Sequence, residues 1–301
     1  MYAHKEDMIV TPGNRFDIAP ETKLWRYISF AKFASLLHSK KLVLSAASMF
    51  NDPYEGAGGI SRNLDMISKT VAFNTWKRVV EKSGQEVSEE DLSKFVFEYI
   101  NRASELGVAN RYFTFVNCWH ENEIESEAMW KLYTASQPDG IAIQTTYGAL
   151  RKAITAEYAK IGRVTYQDYE VAFLPGDSYF WYKRKSFEHE REVRVMVEAD
   201  DETRKAMAKD YKRAIITVPL DVDLDTLIEN VYVSPFASEW LKEVVEEELA
   251  LCGLKKPVVY SKMNEKALFF PSREQLKEFV REIRENAKKE AGDDGKEVQN
   301  E

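Results

Sequence analysis

The sequence predicts an α+β fold in one domain, and three observations support this. The chain has 301 residues, 44% of them apolar and 31% charged, so it has a globular composition and can bury a full core. Strand patterns alternate irregularly with helical patterns, and no internal repeat is visible. We therefore expect a single α+β domain over residues 1–285. Residues 286–301 are charged and polar without a periodic apolar face, so we expect a disordered tail there.

Runs of β-branched and aromatic residues with period-two alternation predict the strands. The predicted strands are LWRYIS (24–29), KLVLS (41–45), RYFTFVNCW (111–119), GIAIQT (140–145), RVTYQ (163–167), RAIITVPL (213–220) and PVVYSKM (257–263).

Apolar residues at helical spacing, with capping residues at several ends, predict the helices. The predicted helices are FAKFASLLHSK (30–40), SEEDLSKFVFEYINRASELG (88–107), SEAMWKLYTA (126–135), SEWLKEVVEEELALCG (238–253) and a final helix that opens with Ser272 and Gln275 in capping-box positions. Residues 62–107 are interpreted as a helical insertion that covers one side of a cleft, because this segment is too short to bury its own core.

Charge and cysteine content exclude several classes of protein. The formal net charge of −8 and a pI near 5.3 argue against a broad basic face for duplex DNA, but they permit a local groove for one strand. Two cysteines and four scattered histidines give neither a disulfide scaffold nor zinc-ligand spacing. The first twenty residues lack the pattern of a signal peptide, and no apolar run is long enough to span a bilayer. We expect a cytoplasmic protein with no metal and no membrane partner.

The stretch KSFEHEREVRVMVEA (185–199) fits either a charged helix face or a strand. Valine at alternate positions from Val193 onward favours the strand, because valine packs well on a pleated sheet. Crowded carboxylates on such a strand are tolerated where they are solvated, paired with cations or used in chemistry. One face of the predicted strand carries Glu188, Glu190, Glu192 and Arg194, and the other carries Phe187, Val193, Val195 and Val197.

Arg26 is a candidate binding residue because it lies on the same side of its predicted strand as Leu24 and Ile28. An arginine aimed toward a core needs an acceptor. It forms either a structural ion pair, for which Asp52 or Glu55 is the expected partner, or a clamp for a phosphate or ribose.

The stretch LSAASMFNDPYE (44–55) ends a predicted strand at Ser45 and then turns. Asp52-Pro53-Tyr54-Glu55 suits a type I turn, in which Asn51 or Asp52 can accept hydrogen bonds from nearby backbone amides. Aromatic residues near these segments belong mostly to the core, but a few at a cleft would suit stacking on a nicotinamide or a nucleobase. These aromatic residues are Trp25, Tyr27, Tyr54, Trp119, Trp130 and Tyr133.

Four short motifs in order resemble a prokaryotic family of unknown function, over residues 24 to about 197. The family pattern has Tyr-Arg-Tyr, then Phe-Asn-Asp-Pro-aromatic-Glu, then Met-Trp-x-x-Tyr-Ala with a following Gly, and last Phe-x-x-Glu-x-Glu-x-Arg. The chain carries LWRYIS, FNDPYEG, MWKLYTASQPDG and FEHEREVR at the corresponding places. The resemblance implies a bacterial or phage-defence setting and no particular activity.

The order of Arg26, Ser45 and Glu190-Arg191-Glu192 is similar to that in ADP-ribosyltransferases of the Arg-Ser-Glu type. This resemblance implies a split mixed sheet that cradles NAD. Arg26 would hold the NAD phosphates or ribose, and Ser45 would order the nicotinamide side, with Ser48 as the alternative serine. Glu192 would stabilise the oxocarbenium ion, and Glu190 would orient or deprotonate the acceptor. The short interval between the arginine and the serine is more like that of compact transferases acting on nucleic acid.

The leading hypothesis is therefore an NAD-dependent ADP-ribosyltransferase that modifies a nucleic acid or a protein, as a toxin or phage-defence effector with a possible antidote protein. NAD would be a substrate, and the NAD site would be completed by Tyr27, Asn51, Asp52, Tyr54 and Trp130. A metal-dependent nuclease is the second hypothesis, because a carboxylate cluster could bind magnesium. That cluster would consist of Asp52, Glu55, Glu190 and Glu192. A non-enzymatic binding or sensor module is the third hypothesis.

Overall fold

The computed structural model describes most of the chain in seven ranges. They are residues 14–57, 73–82, 88–134, 139–168, 179–207, 216–265 and 271–293. By internal contacts the chain divides into two compact units, Met1–Ser261 and Lys262–Glu301. The first unit holds the sheet and the candidate site, and the second holds the last long helix.

Eleven strands are formed by the described residues. They are β1 (Lys23–Ser29), β2 (Lys41–Ala46), β3 (Thr114–Glu121), β4 (Gly140–Thr146), β5 (Lys160–Arg163), β6 (Thr165–Gln167), β7 (Tyr182–Arg184), β8 (Glu192–Glu198), β9 (Thr217–Asp221), β10 (Asn230–Val233) and β11 (Val258–Tyr260).

Nine α-helices are formed by the same described ranges, with short 3-10 turns between some elements. They are α1 (Phe30–Ser39), α2 (73–82), α3 (Glu89–Phe113), α4 (Glu127–Thr134), α5 (Tyr147–Ala153), α6 (Asp201–Met207), α7 (Leu224–Leu227), α8 (Trp240–Leu251) and α9 (Arg273–Asp293). Within these ranges, no helix combines the length and the apolar character needed to cross a bilayer.

The main sheet is mixed, which confirms the predicted α+β class. Its strands follow the order β11-β10-β4-β1-β3-β2-β9, with β8 paired to β3 and β5 paired to β8. All neighbours are antiparallel except β10 and β11, which are parallel. A second, two-stranded parallel sheet joins β6 to β7.

The main sheet splits along one edge of β3. Near the end of β3, His120 and Glu121 pair with β1, and near its start, Phe115 and Val116 pair with β2. Between these two contacts, within the described strands, residues 117–119 pair with neither β1 nor β2. The other edge of β3 pairs with β8 without interruption from Thr114 to His120. The sheet therefore stays continuous through β3 and β8 and opens between β1 and β2.

Three apolar clusters support this split. The largest lies under one face of the sheet and includes the valines of β8 and the predicted apolar stripe of α1. A second cluster, with Phe180, Trp181 and Met196, lies where Val116 of β3 packs. A third cluster joins Trp130 of α4 to Trp25 and Tyr27 of β1. Each side of the split is thus anchored in its own apolar contacts.

The predicted glutamate strand is correct only from Glu192 onward. Residues 185–190 form a 3-10 helix instead, and Arg191 takes a left-handed conformation with a φ of 40°. The Arg191 amide bonds the Glu188 carbonyl at 3.2 Å, which closes a turn and breaks the period-two alternation. From Glu192 the alternation holds, since Val193 lies in the main core.

Helix α3 continues past its predicted end at Gly107 to Phe113, so the predicted strand at 111–119 starts later, at Thr114. Gly107 does not end the helix, because a glycine stops a helix where its backbone takes the left-handed conformation, and Gly107 does not take it. The start is as predicted, because Ser88 accepts a hydrogen bond from the Asp91 amide. Of the predicted helical insertion at 62–107, residues 62–72 and 83–87 lie outside the described ranges.

The capping box of α9 is confirmed, because Ser272 and Gln275 exchange hydrogen bonds of 2.9 and 3.2 Å. The helix continues to Asp293, into the segment predicted to be a disordered tail. Four apolar side chains of this helix are about half exposed, namely Leu276, Phe279, Val280 and Ile283.

Candidate functional site

A cleft of about 200 Å3 lies at the split in the sheet. Residues of β1, β2 and β3 line this cleft, on both sides of the opening. Five residues predicted for the catalytic and NAD-binding site line the cleft. They are Arg26, Tyr27, Ser45, Glu190 and Glu192.

Arg26 reaches across the split from β1. Its Nη1 donates hydrogen bonds to Asn117 Oδ1 at 2.7 Å and to the Cys118 carbonyl at 2.9 Å. Its guanidinium carbon lies 5.9 Å from the centre of the Trp119 ring. Among the described residues, no carboxylate lies within ion-pair distance of Arg26. Burial lowers the pKa of this guanidinium.

The predicted pairing of Arg26 with Asp52 or Glu55 is wrong. Asp52 binds Arg184 Nη2 at 2.8 Å, and Glu55 binds Arg194. The turn after β2 therefore folds toward β7 and β8 instead of back over β1. This leaves the Arg26 cation without a counter-ion in the part of the chain that the structure describes.

Asn117 ties the two sides of the split together. Its amide nitrogen donates to the Val43 carbonyl of β2 at 2.8 Å, and its amide oxygen accepts from Arg26 of β1. One side chain on β3 therefore replaces the missing strand pairing with two side-chain bonds. This bridge links β1, β2 and β3 at the cleft.

Glu192, at the start of β8, is held by two cations. Arg194 donates from Nε to Glu192 Oε1 at 2.5 Å and from Nη2 to Oε2 at 3.1 Å, and Lys183 Nζ lies 3.3 Å from Oε2. Glu192 is 3% exposed. Burial would raise its pKa, but the charges of Arg194 and Lys183 outweigh burial and lower the pKa to about 2. Glu192 is therefore ionised near neutral pH.

Glu190 lies in the preceding 3-10 turn, and its Oε2 is 2.5 Å from Lys183 Nζ. Burial raises the pKa of Glu190 above its ordinary value, although Lys183 acts in the opposite direction. The two carboxylates that line the cleft thus have pKa values shifted in opposite directions. Such a pair is typical of sites where one carboxylate exchanges a proton and the other stays charged.

Other cleft residues were missed by the sequence analysis. His120 lines the cleft from β3 and is 6% exposed, but a lone histidine in a strand gives no signal by itself. Cys118 also lines the cleft, and burial raises the pKa of its thiol well above the ordinary value, so the thiol stays protonated. Tyr133, one of the aromatic residues predicted to lie near these segments, also lines the cleft.

Four residues predicted for the NAD site do not line the cleft. Trp130 is fully buried against Tyr27, with ring centres 4.9 Å apart, and its Nε1 donates to Glu125. Asp52 accepts from the Tyr54 amide at 3.0 Å, as predicted for the turn. The ring of Tyr54 lies under the Arg184 guanidinium at 4.7 Å, and Asn51 is exposed. Of the two candidate serines, Ser45 lines the cleft and Ser48 does not.

The acids of the nuclease hypothesis are occupied by basic side chains. Asp52 pairs with Arg184, and the other three acids of that cluster pair with Lys183 or Arg194. In the described ranges, no group of three or more histidine, cysteine, aspartate or glutamate side chains has the arrangement to hold a metal ion.

Comparisons with known proteins return three structures of one distant protein. The DarT of Thermus sp. 2.9 in complex with NAD+ has a TM-score of 0.35 and 11% identity, over 82% of this chain and 99% of that one. Its complex with carba-NAD+ has a TM-score of 0.32 and 10% identity, over 81% of this chain and 97% of that one. Its complex with ADP-ribosylated ssDNA has a TM-score of 0.32 and 11% identity, over 81% of this chain and 95% of that one. No family model and no curated protein sequence matches the chain. Membership of the family of unknown function stays a prediction.

Proposed function

We propose that this protein is an NAD-dependent ADP-ribosyltransferase that modifies a macromolecule, either a nucleic acid or a protein. One observation carries the proposal. One cleft is lined by Arg26, a cation without a carboxylate partner among the described residues, and by a carboxylate pair with divergent pKa values, Glu190 and Glu192.

Arg26 would bind the diphosphate of NAD. A partly buried guanidinium without a counter-ion favours an anionic ligand, because the ligand restores the charge balance that burial removes. Only Nη1 makes hydrogen bonds within the described chain, so Nη2 and Nε are the donors left for phosphate oxygens. A bidentate contact from these two nitrogens matches the geometry of a phosphate.

Glu192 would stabilise the transition state. When the bond from C1′ of the ribose to the nicotinamide nitrogen breaks, nicotinamide leaves with the electron pair and positive charge develops on the ribose. A fixed carboxylate that stays ionised opposes that charge without reorganising. Arg194 fixes the position of Glu192 through both carboxylate oxygens.

The charges around Glu192 keep a negative balance. Three carboxylates and two cations make up the cluster, so it carries one net negative charge when all five groups are ionised. These groups are Glu55, Lys183, Glu190, Glu192 and Arg194. The cluster therefore still favours a developing cation, although Glu192 itself is paired.

Glu190 would act on the acceptor. As the acceptor nucleophile forms a bond to C1′, it loses a proton, and a carboxylate with a raised pKa is a better base for that proton than an ordinary one. Lys183 holds Glu190 beside Glu192, which places the base next to the reacting carbon. The proton would move from the acceptor to Glu190, and nicotinamide would leave as the neutral base.

The size of the cleft fits one end of a dinucleotide. Its volume of about 200 Å3 lies below the roughly 300–1,000 Å3 typical of sites for drug-sized ligands. The nicotinamide and its ribose would occupy the cleft beside Glu190 and Glu192, and the adenosine would extend past Arg26. The roles of toxin or phage-defence effector, and an antidote protein, stay predictions from the sequence resemblance.

The proposal is tested by measuring melting temperature and nicotinamide release with NAD+ in the presence of a metal chelator. Stabilisation by NAD+ together with release of nicotinamide is expected. Stabilisation by Mg2+ or Mn2+ alone would favour the nuclease instead. Absence of any effect from NAD+ and from either metal would leave a non-enzymatic module as the better explanation.

A further inference from the structure

His120 lines the cleft and has one ring nitrogen without a hydrogen-bond partner among the described residues. The residue lies on β3 directly opposite Glu192 of β8, and it lines the cleft. Its Nδ1 lies 2.7 Å from the carbonyl oxygen of Glu190. Its Nε2 is buried and has no hydrogen-bond partner within the described chain.

The bond to Glu190 fixes which nitrogen carries the proton. A carbonyl oxygen only accepts, so Nδ1 must be the protonated nitrogen. Burial lowers the pKa of His120, although the bond to the Glu190 carbonyl acts in the opposite direction, so the ring is neutral near neutral pH. In that neutral tautomer Nε2 is a hydrogen-bond acceptor.

A buried acceptor without a partner is unfavourable, and few such groups occur in folded proteins. At a cleft, the partner can be a ligand. We propose that His120 Nε2 accepts a hydrogen bond from an N–H or O–H group of the ligand beside Glu190 and Glu192. This inference rests on the proposed function, and the donor would then be the nicotinamide carboxamide or a hydroxyl of its ribose.

The same contact makes His120 a positioning residue for Glu190. Its Nδ1 holds the backbone of Glu190 while its Nε2 binds the ligand, so one ring links the ligand to the base. A structural role alone would require only the Nδ1 bond. The two roles depend on different nitrogens and can therefore be separated by substitution.

Two variants divide the two nitrogens. The amide nitrogen of asparagine can replace Nδ1 and keep the bond to Glu190, but asparagine has no atom at the position of Nε2. The longer glutamine can place its amide oxygen near Nε2 and loses the Nδ1 bond. Affinity for carba-NAD+ and the melting temperature without ligand are measured for His120→Asn, His120→Gln and the control His189→Asn, which changes an exposed histidine.

The proposal expects His120→Asn to weaken binding of carba-NAD+ by about tenfold, as for one lost hydrogen bond with a stranded donor. His120→Gln should stay within about threefold of wild type, as should the control. The reverse order of the two variants, or equal affinity of both with wild type, overturns the proposal. If wild type itself binds no NAD+ or carba-NAD+, the proposed function fails, and this inference fails with it.

Binding of ADP-ribose to wild type and to His120→Asn identifies the ligand group that donates to Nε2, because ADP-ribose keeps the ribose hydroxyls and lacks nicotinamide. If the defect of His120→Asn disappears with ADP-ribose, the donor is the carboxamide, and if the defect persists, the donor is a hydroxyl. A wild-type comparison covers the case in which neither variant folds. Analogues with a carboxylate in place of the carboxamide, or with fluorine in place of the ribose hydroxyls, each lack one donor. At least one of these two analogues must bind the wild-type protein about tenfold more weakly than NAD+ does. If both analogues bind as tightly as NAD+, the proposal is overturned.

Discussion

Glu55 and Arg194 form a buried, two-pronged ion pair although 139 residues separate them in the sequence. Arg194 is fully buried, and the same guanidinium also holds Glu192 and donates to the Phe180 carbonyl at 2.5 Å. The turn that follows β2 therefore fixes the cation that fixes Glu192. The position of the candidate catalytic carboxylate depends on a residue far from it in the chain.

Replacing Glu192 with glutamine should abolish NAD consumption and also destabilise the protein. The lost negative charge should cost on the order of a hundredfold or more in rate. The same change leaves Arg194 and Lys183 with one carboxylate fewer in a buried cluster, which should lower the free energy of unfolding by about 3 kcal/mol. Relief of repulsion among the glutamates does not dominate, because cations separate them.

Glu188→Gln is the matched control for this prediction. Glu188 is exposed and lies in the same 3-10 turn as Glu190, so its neutralisation should change neither the melting temperature nor nicotinamide release. If Glu192→Gln has the same melting temperature as wild type, the ion pairs of Glu192 contribute little to stability. One that still releases nicotinamide at the wild-type rate would remove Glu192 from the mechanism.

The stability that Glu192 contributes should disappear in acid over a defined range. Its pKa is lowered from 4.5 to about 2 in the folded protein, so its contribution is fully present above pH 4.5 and is lost as the pH falls through about 2. A shift of this size corresponds to about 3 kcal/mol. Melting temperatures measured from pH 6 down to pH 2 should therefore converge for wild type and Glu192→Gln. A constant difference across that range would contradict the assignment.

Glu190→Gln should behave differently from Glu192→Gln. The pKa of Glu190 is raised by burial, so the folded protein favours its protonated form, and ionisation of Glu190 lowers stability as the pH rises. A neutral amide removes this effect while Lys183 keeps its contact with Glu192. The melting temperature at neutral pH should equal or exceed that of wild type, while transfer to the acceptor falls. A clear loss of stability would mean that the Lys183–Glu190 pair outweighs the burial of the carboxylate.

The elements with a strong local pattern could be predicted from the spacing of their residues, whereas the split in the sheet was implied only by the resemblance to ADP-ribosyltransferases. The valines of β8 and the apolar stripe of α1 lie in the core as their periodicity predicts. The turn at Asp52 also forms the predicted contact with the Tyr54 amide. These features depend on residues that are close together in the chain, so local sequence patterns are enough to predict them.

The ion pairs of Asp52 and Glu55 could not be predicted from the sequence, because they depend on which strands become neighbours in the fold. Local spacing suggested Asp52 or Glu55 as the partner of Arg26, whereas the fold sends them to Arg184 and Arg194. The 3-10 turn before β8 was also missed, because a left-handed arginine carries no sequence signal. That turn places Glu190 beside Lys183 instead of on a strand face.

Gly56 should not tolerate a side chain. Its φ is 74°, and a Cβ atom added there would lie 2.2 Å from Cε1 of the Phe180 ring. Gly56→Ala must therefore displace Phe180, whose carbonyl accepts from Arg194, or move the turn that carries Glu55. We expect a loss of at least about 2 kcal/mol from overpacking and backbone strain together.

Gly107→Ala is the matched control for Gly56→Ala, because a Cβ atom added in α3 would meet nothing within 4 Å. An alanine inside a helix should raise stability by about 0.5–1 kcal/mol. Chemical denaturation of both variants measures the difference. Similar stabilities for the two variants would show that the contact with Phe180 adapts easily.

Arg26→Gln should weaken anion binding without unfolding the protein. Asn117 keeps its bond to the Val43 carbonyl of β2, and glutamine still provides an amide donor on β1, although its side chain is two bonds shorter than that of arginine. Arg26 is buried with no carboxylate partner in the described ranges, which makes its charge unfavourable, so removal of that charge should leave the melting temperature unchanged or higher.

Binding of inorganic pyrophosphate and of NAD+ is the measurement that follows Arg26→Gln. A lost pair of charged hydrogen bonds should weaken both ligands by about a hundredfold or more, because each charged bond contributes at least about 1.5 kcal/mol. Arg151→Gln, which changes an exposed arginine on α5, controls for net charge and should bind both ligands as wild type does. If Arg26→Gln and Arg151→Gln bind pyrophosphate equally well, Arg26 does not bind the diphosphate of NAD. A fall in melting temperature for Arg26→Gln would instead indicate that the Arg26 contacts with β3 are structural, namely its two hydrogen bonds and its approach to the Trp119 ring.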